Sequence, residues 1–161
     1  MWRAAWVNGV DQLEDRWPEA YRLVQNSGTG LIIQGAREWA DYRVRATITP
    51  HLLSSGGLAA RVQGLQRYYA LLLTAAGQLR LVKALDGLTV LGEVDCPWEL
   101  DAPCTLELEV RGARLRASVN GTLLFEVEDV QRPLLEGAVG LVCEAGMLSC
   151  DAVEVRPVGA S

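Results

Sequence analysis

Apolar and polar residues alternate with a period of two along most of the chain, in short runs separated by Gly, Pro, Asn and Asp. Successive side chains of a strand point to opposite faces, so this pattern predicts half-buried β-strands. The clearest run covers 41–50. Tyr42, Val44, Ala46 and Ile48 fall on one face; Arg43, Arg45, Thr47 and Thr49 fall on the other. Residues 105–111 set Leu106, Leu108 and Val110 against Thr105, Glu107 and Glu109. Residues 114–119 set Leu115, Ala117 and Val119 against Arg114, Arg116 and Ser118. Asn120-Gly121 then predicts a two-residue hairpin, because both turn positions require positive φ. Further strands are expected at 31–34, 57–63, 67–74, 78–85, 89–94, 123–127, 138–143 and 148–155.

That makes about ten or eleven strands and no convincing helix. Leu13, Trp17, Ala20 and Leu23 have rough helical spacing, but Pro18 interrupts it, so a loop or short turn is expected there. Ten strands are too many for a comfortable open sheet. The expected fold class is therefore all-β, a two-sheet antiparallel jelly-roll sandwich. With 161 residues and no visible repeat or linker, a single domain over 1–161 is expected, with 1–38 a less regular segment packed on it.

Composition narrows the function. The chain carries 15 Lys and Arg against 20 Asp and Glu, a net charge of −5. Non-specific nucleic-acid binding depends on neutralising phosphates, so such a partner is not expected. No run approaches the ~20 apolar residues that span a bilayer, so no membrane partner is expected either. Residues 1–6 lack the layout of a signal peptide, which points to a cytoplasmic protein. His51 is the single histidine, which rules out any two-histidine site within one chain. Cys96, Cys104, Cys143 and Cys150 contain no C-x-x-C pair. Cys143 and Cys150 flank an expected turn, and Cys96 and Cys104 bracket a Pro-containing loop, so either pair can meet. The plainer expectation is four reduced thiols acting as small core residues.

The order of motifs resembles a known superfamily. The series runs Trp39-Ala40-Asp41-Tyr42-Arg43-Val44, Gly56-Gly57-Leu58-Ala59-Ala60-Arg61-Val62-Gln63, Tyr68-Tyr69-Ala70-Leu71 and Gly77-Gln78-Leu79-Arg80-Leu81-Val82-Lys83. It continues through Leu106-Glu107-Leu108-Glu109-Val110-Arg111-Gly112, Leu115-Arg116-Ala117-Ser118-Val119-Asn120-Gly121, Gly137-Ala138-Val139-Gly140-Leu141 and Asp151-Ala152-Val153-Glu154-Val155. It resembles the concanavalin A-like lectin/glucanase superfamily, and within it laminin-G-like and levan-binding carbohydrate modules. It also resembles the accessory sandwich of some bacterial ADP-ribosylglycohydrolases. The resemblance covers about residues 39–155. It implies two curved sheets, a face that takes a sugar, and often one structural calcium ion; the alternative is no cofactor, with the acidic residues forming a solvated loop. Asp151 resembles a calcium-ligand aspartate of such modules; Asp11, Glu14 and Asp15 are further carboxylates for it.

A candidate ligand platform follows from an assumed register. If Gln63 pairs with Tyr68 and Thr74 with Leu79, then Arg61, Gln63, Tyr68 and Lys83 share one face, flanked by Ala59 and Ala70. Arg43 and Arg45 are outer candidates. Arginine and lysine would donate to hydroxyls or phosphate, and the tyrosine ring would cover a sugar face. The alternative is an ordinary solvated sheet face. Trp17 and Trp98, each beside a proline, are candidates for exposed rims, whereas Trp39 reads as packing. Glu107-x-Glu109 superficially resembles the paired carboxylates of glucanases, but the strand reads as amphipathic and water-facing.

The expected function is non-catalytic binding of a carbohydrate, sugar-phosphate or ADP-ribose-like ligand, as an accessory module beside a catalytic domain in the same parent chain. A structural or protein-interaction domain with Leu72 and Leu81 outward is the first alternative. A glycoside hydrolase using Glu107 and Glu109 is the second.

Overall fold

A computed structural model describes residues 21–34, 39–52, 55–64, 67–85, 87–99 and 101–158, with side chains placed from Trp39 on, outside 51–52, 144–149 and 151–152. These residues form ten strands: β1 (Tyr21–Gln34), β2 (Tyr42–Leu52), β3 (Ser55–Gly64), β4 (Arg67–Thr74), β5 (Gln78–Leu85), β6 (Leu88–Asp95), β7 (Cys104–Arg111), β8 (Arg114–Val119), β9 (Thr122–Glu128) and β10 (Ala138–Pro157). The expected strands at 67–74, 78–85 and 114–119 match these bounds.

Every pairing is antiparallel, in the order β6-β5-β4-β3-β10-β2-β7-β8-β9, with β1 beside β10. β10 joins the two sheets. Its first part, from Ala138 to Glu144, pairs with β3, and Met147 to Pro157 pair with β2. Each sheet thus has five strands and shares β10. β1 follows β10 across both parts, with a register shift between Gln25 and Thr29.

Two sequence expectations change here. The segments 138–143 and 148–155 form one strand rather than a hairpin. Cys143 and Cys150 therefore lie about 23 Å apart along it, at roughly 3.3 Å per residue, and do not face one another. All four cysteines are buried. The second change is β1, which extends the strand expected at 31–34 back to Tyr21 within the supposedly irregular N-terminal segment.

The core lies between the sheets. Val44, Ala46 and Ile48 of β2, Leu106, Leu108 and Val110 of β7 and Leu115 and Ala117 of β8 meet Leu58, Ala60, Tyr69, Leu71, Leu79 and Leu81 of the other sheet. Each fully buried leucine contributes roughly 1.5–3 kcal/mol. Where the edge strands β6 and β9 approach, Gly92 faces Phe125; a Cβ at Gly92 would stand 2.8 Å from its ring. Leu81, expected outward in a docking domain, is wholly inside, and Leu72 is half-buried.

The outer faces of the two sheets differ. That of β2, β7 and β8 is polar and open. That of β3, β4 and β5 carries Ala59, Val62, Tyr68, Ala70, Val82 and Ala84, and these form a second buried apolar cluster.

Candidate functional site

The expected platform does not assemble, for two reasons of register. β4 and β5 pair Leu73 with Leu79 and Ala70 with Val82, one residue away from the assumed alignment. A one-residue slip turns every side chain to the opposite face. Lys83 accordingly stands opposite Tyr69 on the core side, while Tyr68 stands opposite Ala84 on the outer side. β3 is also irregular between Ala60 and Gly64, where Arg61 takes φ 51°. That bulge breaks the alternation and sends the Arg61 side chain inward.

Arg61 is 0% exposed. Its Nε and Nη2 donate to the Ala40 carbonyl at 3.1 and 2.9 Å. Its Nη1 donates to the carbonyls of Gly112 and Leu134, and Nη2 pairs with Asp41 Oδ1 at 3.0 Å. The Arg61 amide donates to Tyr42 Oη at 2.5 Å, and that hydroxyl lies 2.9 Å from the Gly137 carbonyl. Asp41 also accepts from the Gly112 amide. One guanidinium therefore ties together the start of β2, the bulge of β3, the β7–β8 turn and the strap between β9 and β10. Burial pulls it below its usual pKa, against the opposing pull of the Tyr42 hydroxyl and the Asp41 carboxylate. The donors that were to meet a ligand are used by the protein.

Lys83 has a parallel role. Its Nζ lies 2.7 Å from Asp129 Oδ2 and donates to the Gln131 and Arg132 carbonyls at 2.6 and 2.8 Å. Tyr69 Oη donates to the same carboxylate oxygen at 2.6 Å and accepts from the Leu134 amide. Burial works to raise the Asp129 carboxyl. The hydrogen bonds from Lys83 and Tyr69 and the lysine charge outweigh it, so the carboxyl sits below its usual range. Gln63 reaches the Glu136 carbonyl at 2.8 Å. Arg61, Lys83 and Gln63 all hold the 129–137 strap. Tyr68 is 7% exposed in the outer apolar cluster.

Arg43 and Arg45 do lie on an open face, that of the β2-β7-β8 sheet. Arg45 bonds Glu107 at 3.2 Å, and Arg43 lies 3.6 Å from it. Glu109 pairs with Arg111 at 3.5 Å. Both carboxylates once considered for catalysis are thus occupied by arginines on a sheet surface.

A hollow among the described residues lies at one end of the sandwich, in the β6–β7 loop. It measures about 330 Å³ and is lined by Cys96, Pro97, Trp98, Glu99, Ala102, Pro103, Cys104, Val119 and Asn120. Its floor is Cys96, Cys104 and Val119, each nearly buried. Trp98 is half-buried at the wall, and its indole Nε1 donates to the Thr74 carbonyl at 2.7 Å. That bond fixes the ring plane. Asn120, in the predicted turn with φ 51°, accepts from the Thr105 amide through Oδ1 at 2.9 Å, which leaves its amide protons for another acceptor. Glu99 is exposed at the rim. Burial raises the Cys96 thiol, and burial with the neighbouring Cys96 raises Cys104 to about 11. Of these residues, Trp98 alone was marked by the sequence as a candidate ligand contact. The signal for the others was the Pro-bracketed loop itself.

Among the described residues no three His, Cys, Asp or Glu side chains gather as a metal site requires. The Asp151 side chain, like Asp11, Glu14, Asp15 and Trp17, lies outside the described residues.

No protein-family model and no curated protein matches the sequence. Solved structures do. The carbohydrate-binding module CBM66 from Bacillus subtilis superposes with a TM-score of 0.75 at 18% identity, over 86% of this chain and 92% of that one. The fold is a concanavalin A-like jelly-roll sandwich. The Caenorhabditis elegans galectin LEC-6 shares it, with a TM-score of 0.59 at 15% identity over 84% and 95% of the two chains. So does the CBM40 of a Ruminococcus gnavus sialidase, bound to α2,3-sialyllactose, with a TM-score of 0.57 at 13% identity over 89% and 95%.

Proposed function

We propose that this chain is a non-catalytic carbohydrate-binding module that takes an uncharged sugar unit in the Trp98 hollow. The observation that carries this reading is a fixed indole beside a carboxylate and a carboxamide with unspent N–H donors in one hollow. A sugar ring has an apolar C–H face and a polar edge of hydroxyls. An aromatic wall with a few convergent polar groups suits both. At about 330 Å³ the hollow lies at the small end of ligand pockets, which run roughly 300–1,000 Å³. One or two sugar units suit it. Similar solved structures are a galectin and two carbohydrate-binding modules, which supports the class of ligand without determining it.

A hydrolase reading finds less support. Glycoside hydrolysis needs two carboxyl groups flanking the bond. Glu99 is the one carboxylate among the described residues lining the hollow. A phosphate-bearing or ADP-ribose-like ligand is also less favoured, since Arg61 and Lys83 already spend their donors on the strap. Service as an accessory to a catalytic domain remains part of the proposal, because a module without its own chemistry acts by placing another. A screen of neutral oligosaccharides on the wild-type chain and Trp98→Ala tests the reading. Binding that the variant loses supports it; binding that the variant keeps moves the site elsewhere.

A further inference from the structure

We infer that the open face of the β2-β7-β8-β9 sheet carries a second site, a notch at Arg116 that takes the carboxylate of an acidic sugar. Register places Arg43, Glu109, Arg116 and Glu126 in one row across the four strands. Arg116 stands between two carboxylates, yet both are engaged by other arginines. Glu109 pairs with Arg111 at 3.5 Å and Glu126 with Arg114 at 3.3 Å. No carboxylate lies within ion-pair distance of Arg116 among the described residues. Its five N–H donors remain for an outside acceptor.

The same residues enclose a small hollow. Glu109, Arg111, Arg114, Arg116 and Glu126 line about 70 Å³. That is the space of roughly two waters at ~30 Å³ each, the scale of a carboxylate and too small for a sugar ring. Three guanidinium groups face two carboxylates there, so the notch is net positive on a chain of net charge −5. Across Glu109, Arg43 Nε is shielded from water and has no acceptor, a second unmet donor in the row. A planar, bidentate acceptor matches a guanidinium fork best.

The site is separate from the Trp98 hollow, since Arg116 precedes Asn120 by about 13 Å along the chain. That the acid is borne by a sugar rests on the carbohydrate-binding reading; the notch itself does not.

The test is NMR of the full chain, following the arginine Nε–Hε signals and the Trp98 indole signal. The probes are D-glucuronate and D-glucose at equal ionic strength. Glucuronate should move the Arg116, Arg111 and Arg114 signals, while glucose leaves them in place. In Arg116→Ala the Arg111 and Arg114 shifts should fall at least five-fold, with an unmoved Trp98 signal showing that the fold persists. No movement with glucuronate, equal movement with glucose, or undiminished shifts in Arg116→Ala would each overturn the notch. Failure of neutral sugars to move Trp98 would instead count against the hollow alone.

Discussion

Lys83 Nζ and Asp129 Oδ2 meet at 2.7 Å, each side chain less than a tenth exposed, and together they clamp the strap that leads from β9 into β10. Removing one partner of such a pair leaves the other charge buried and unpaired, which costs about 3–5 kcal/mol. Lys83→Met should therefore lower stability by about that amount in urea unfolding at neutral pH. The double change Lys83→Met with Asp129→Leu should recover much of the loss.

The same pair fixes a pH dependence. The Asp129 carboxyl is held below its usual value in the fold. A depressed carboxyl contributes stability that is full above the unfolded pKa of about 4 and is lost as pH falls through the lower folded value. Thermal unfolding from pH 6 to pH 2 should show the transition temperature falling below about pH 4. Asp129→Asn should be less stable at neutral pH and should flatten that acid limb.

The Arg61 lattice depends on a close backbone approach. Gly137 has φ 150°, and a Cβ there would lie 2.3 Å from the Arg61 carbonyl carbon. Gly137→Ala should cost at least about 1–3 kcal/mol from backbone conformation alone. Arg61→Met keeps most of the volume but strips the Ala40 carbonyl and the buried Leu134 carbonyl of their donors. It should cost about 1–3 kcal/mol. Denaturant midpoints of the two variants check both.

The floor of the hollow predicts slow thiol chemistry. The thiolate is the nucleophile, and Cys104 is raised to about 11 by burial and by Cys96. At pH 8 its alkylation should run roughly two orders of magnitude slower than that of a free thiol of pKa about 8.5. The rate should climb until pH approaches 11. Mass-spectrometric timing of iodoacetamide labelling measures it.

Much of this architecture was legible in the residues, because half-buried strands write their geometry as alternation. Val44, Ala46 and Ile48 against Arg43, Arg45 and Thr47 gave β2 both its existence and its faces. Asn120-Gly121 announced its turn through the positive φ that both residues adopt. What was hidden depended on pairing rather than pattern. The β4–β5 turn closes with Leu73 opposite Leu79, and that single step carries Lys83 to the core side. The Arg61 bulge needs a positive φ at a residue that rarely takes one, so no local preference signals it. The glycine at 146 looks like a break, yet β10 runs through it. Trp98 was visible as a rim candidate; Asn120 and Glu99 became its neighbours only once the strands were placed.

The Trp98 hollow is where a sugar should bind. The deciding measurement is a titration of the full chain with neutral oligosaccharides, following the Trp98 indole Nε1–H signal in the wild type, with affinities of the wild type and of Trp98→Ala both taken by calorimetry. Trp98 packs against the edge of the core and its indole holds the Thr74 carbonyl, so the urea midpoint of Trp98→Ala is measured beside its affinity to show that the variant is folded. Truncating an aromatic anchor costs about 2 kcal/mol or more, close to 30-fold in affinity. At least one neutral glycan should give a saturable shift of the indole signal, and Trp98→Ala should lose about 30-fold or more in affinity. An indole signal that stays fixed while a neutral glycan binds, or equal affinity in the two proteins, would contradict a sugar site at Trp98.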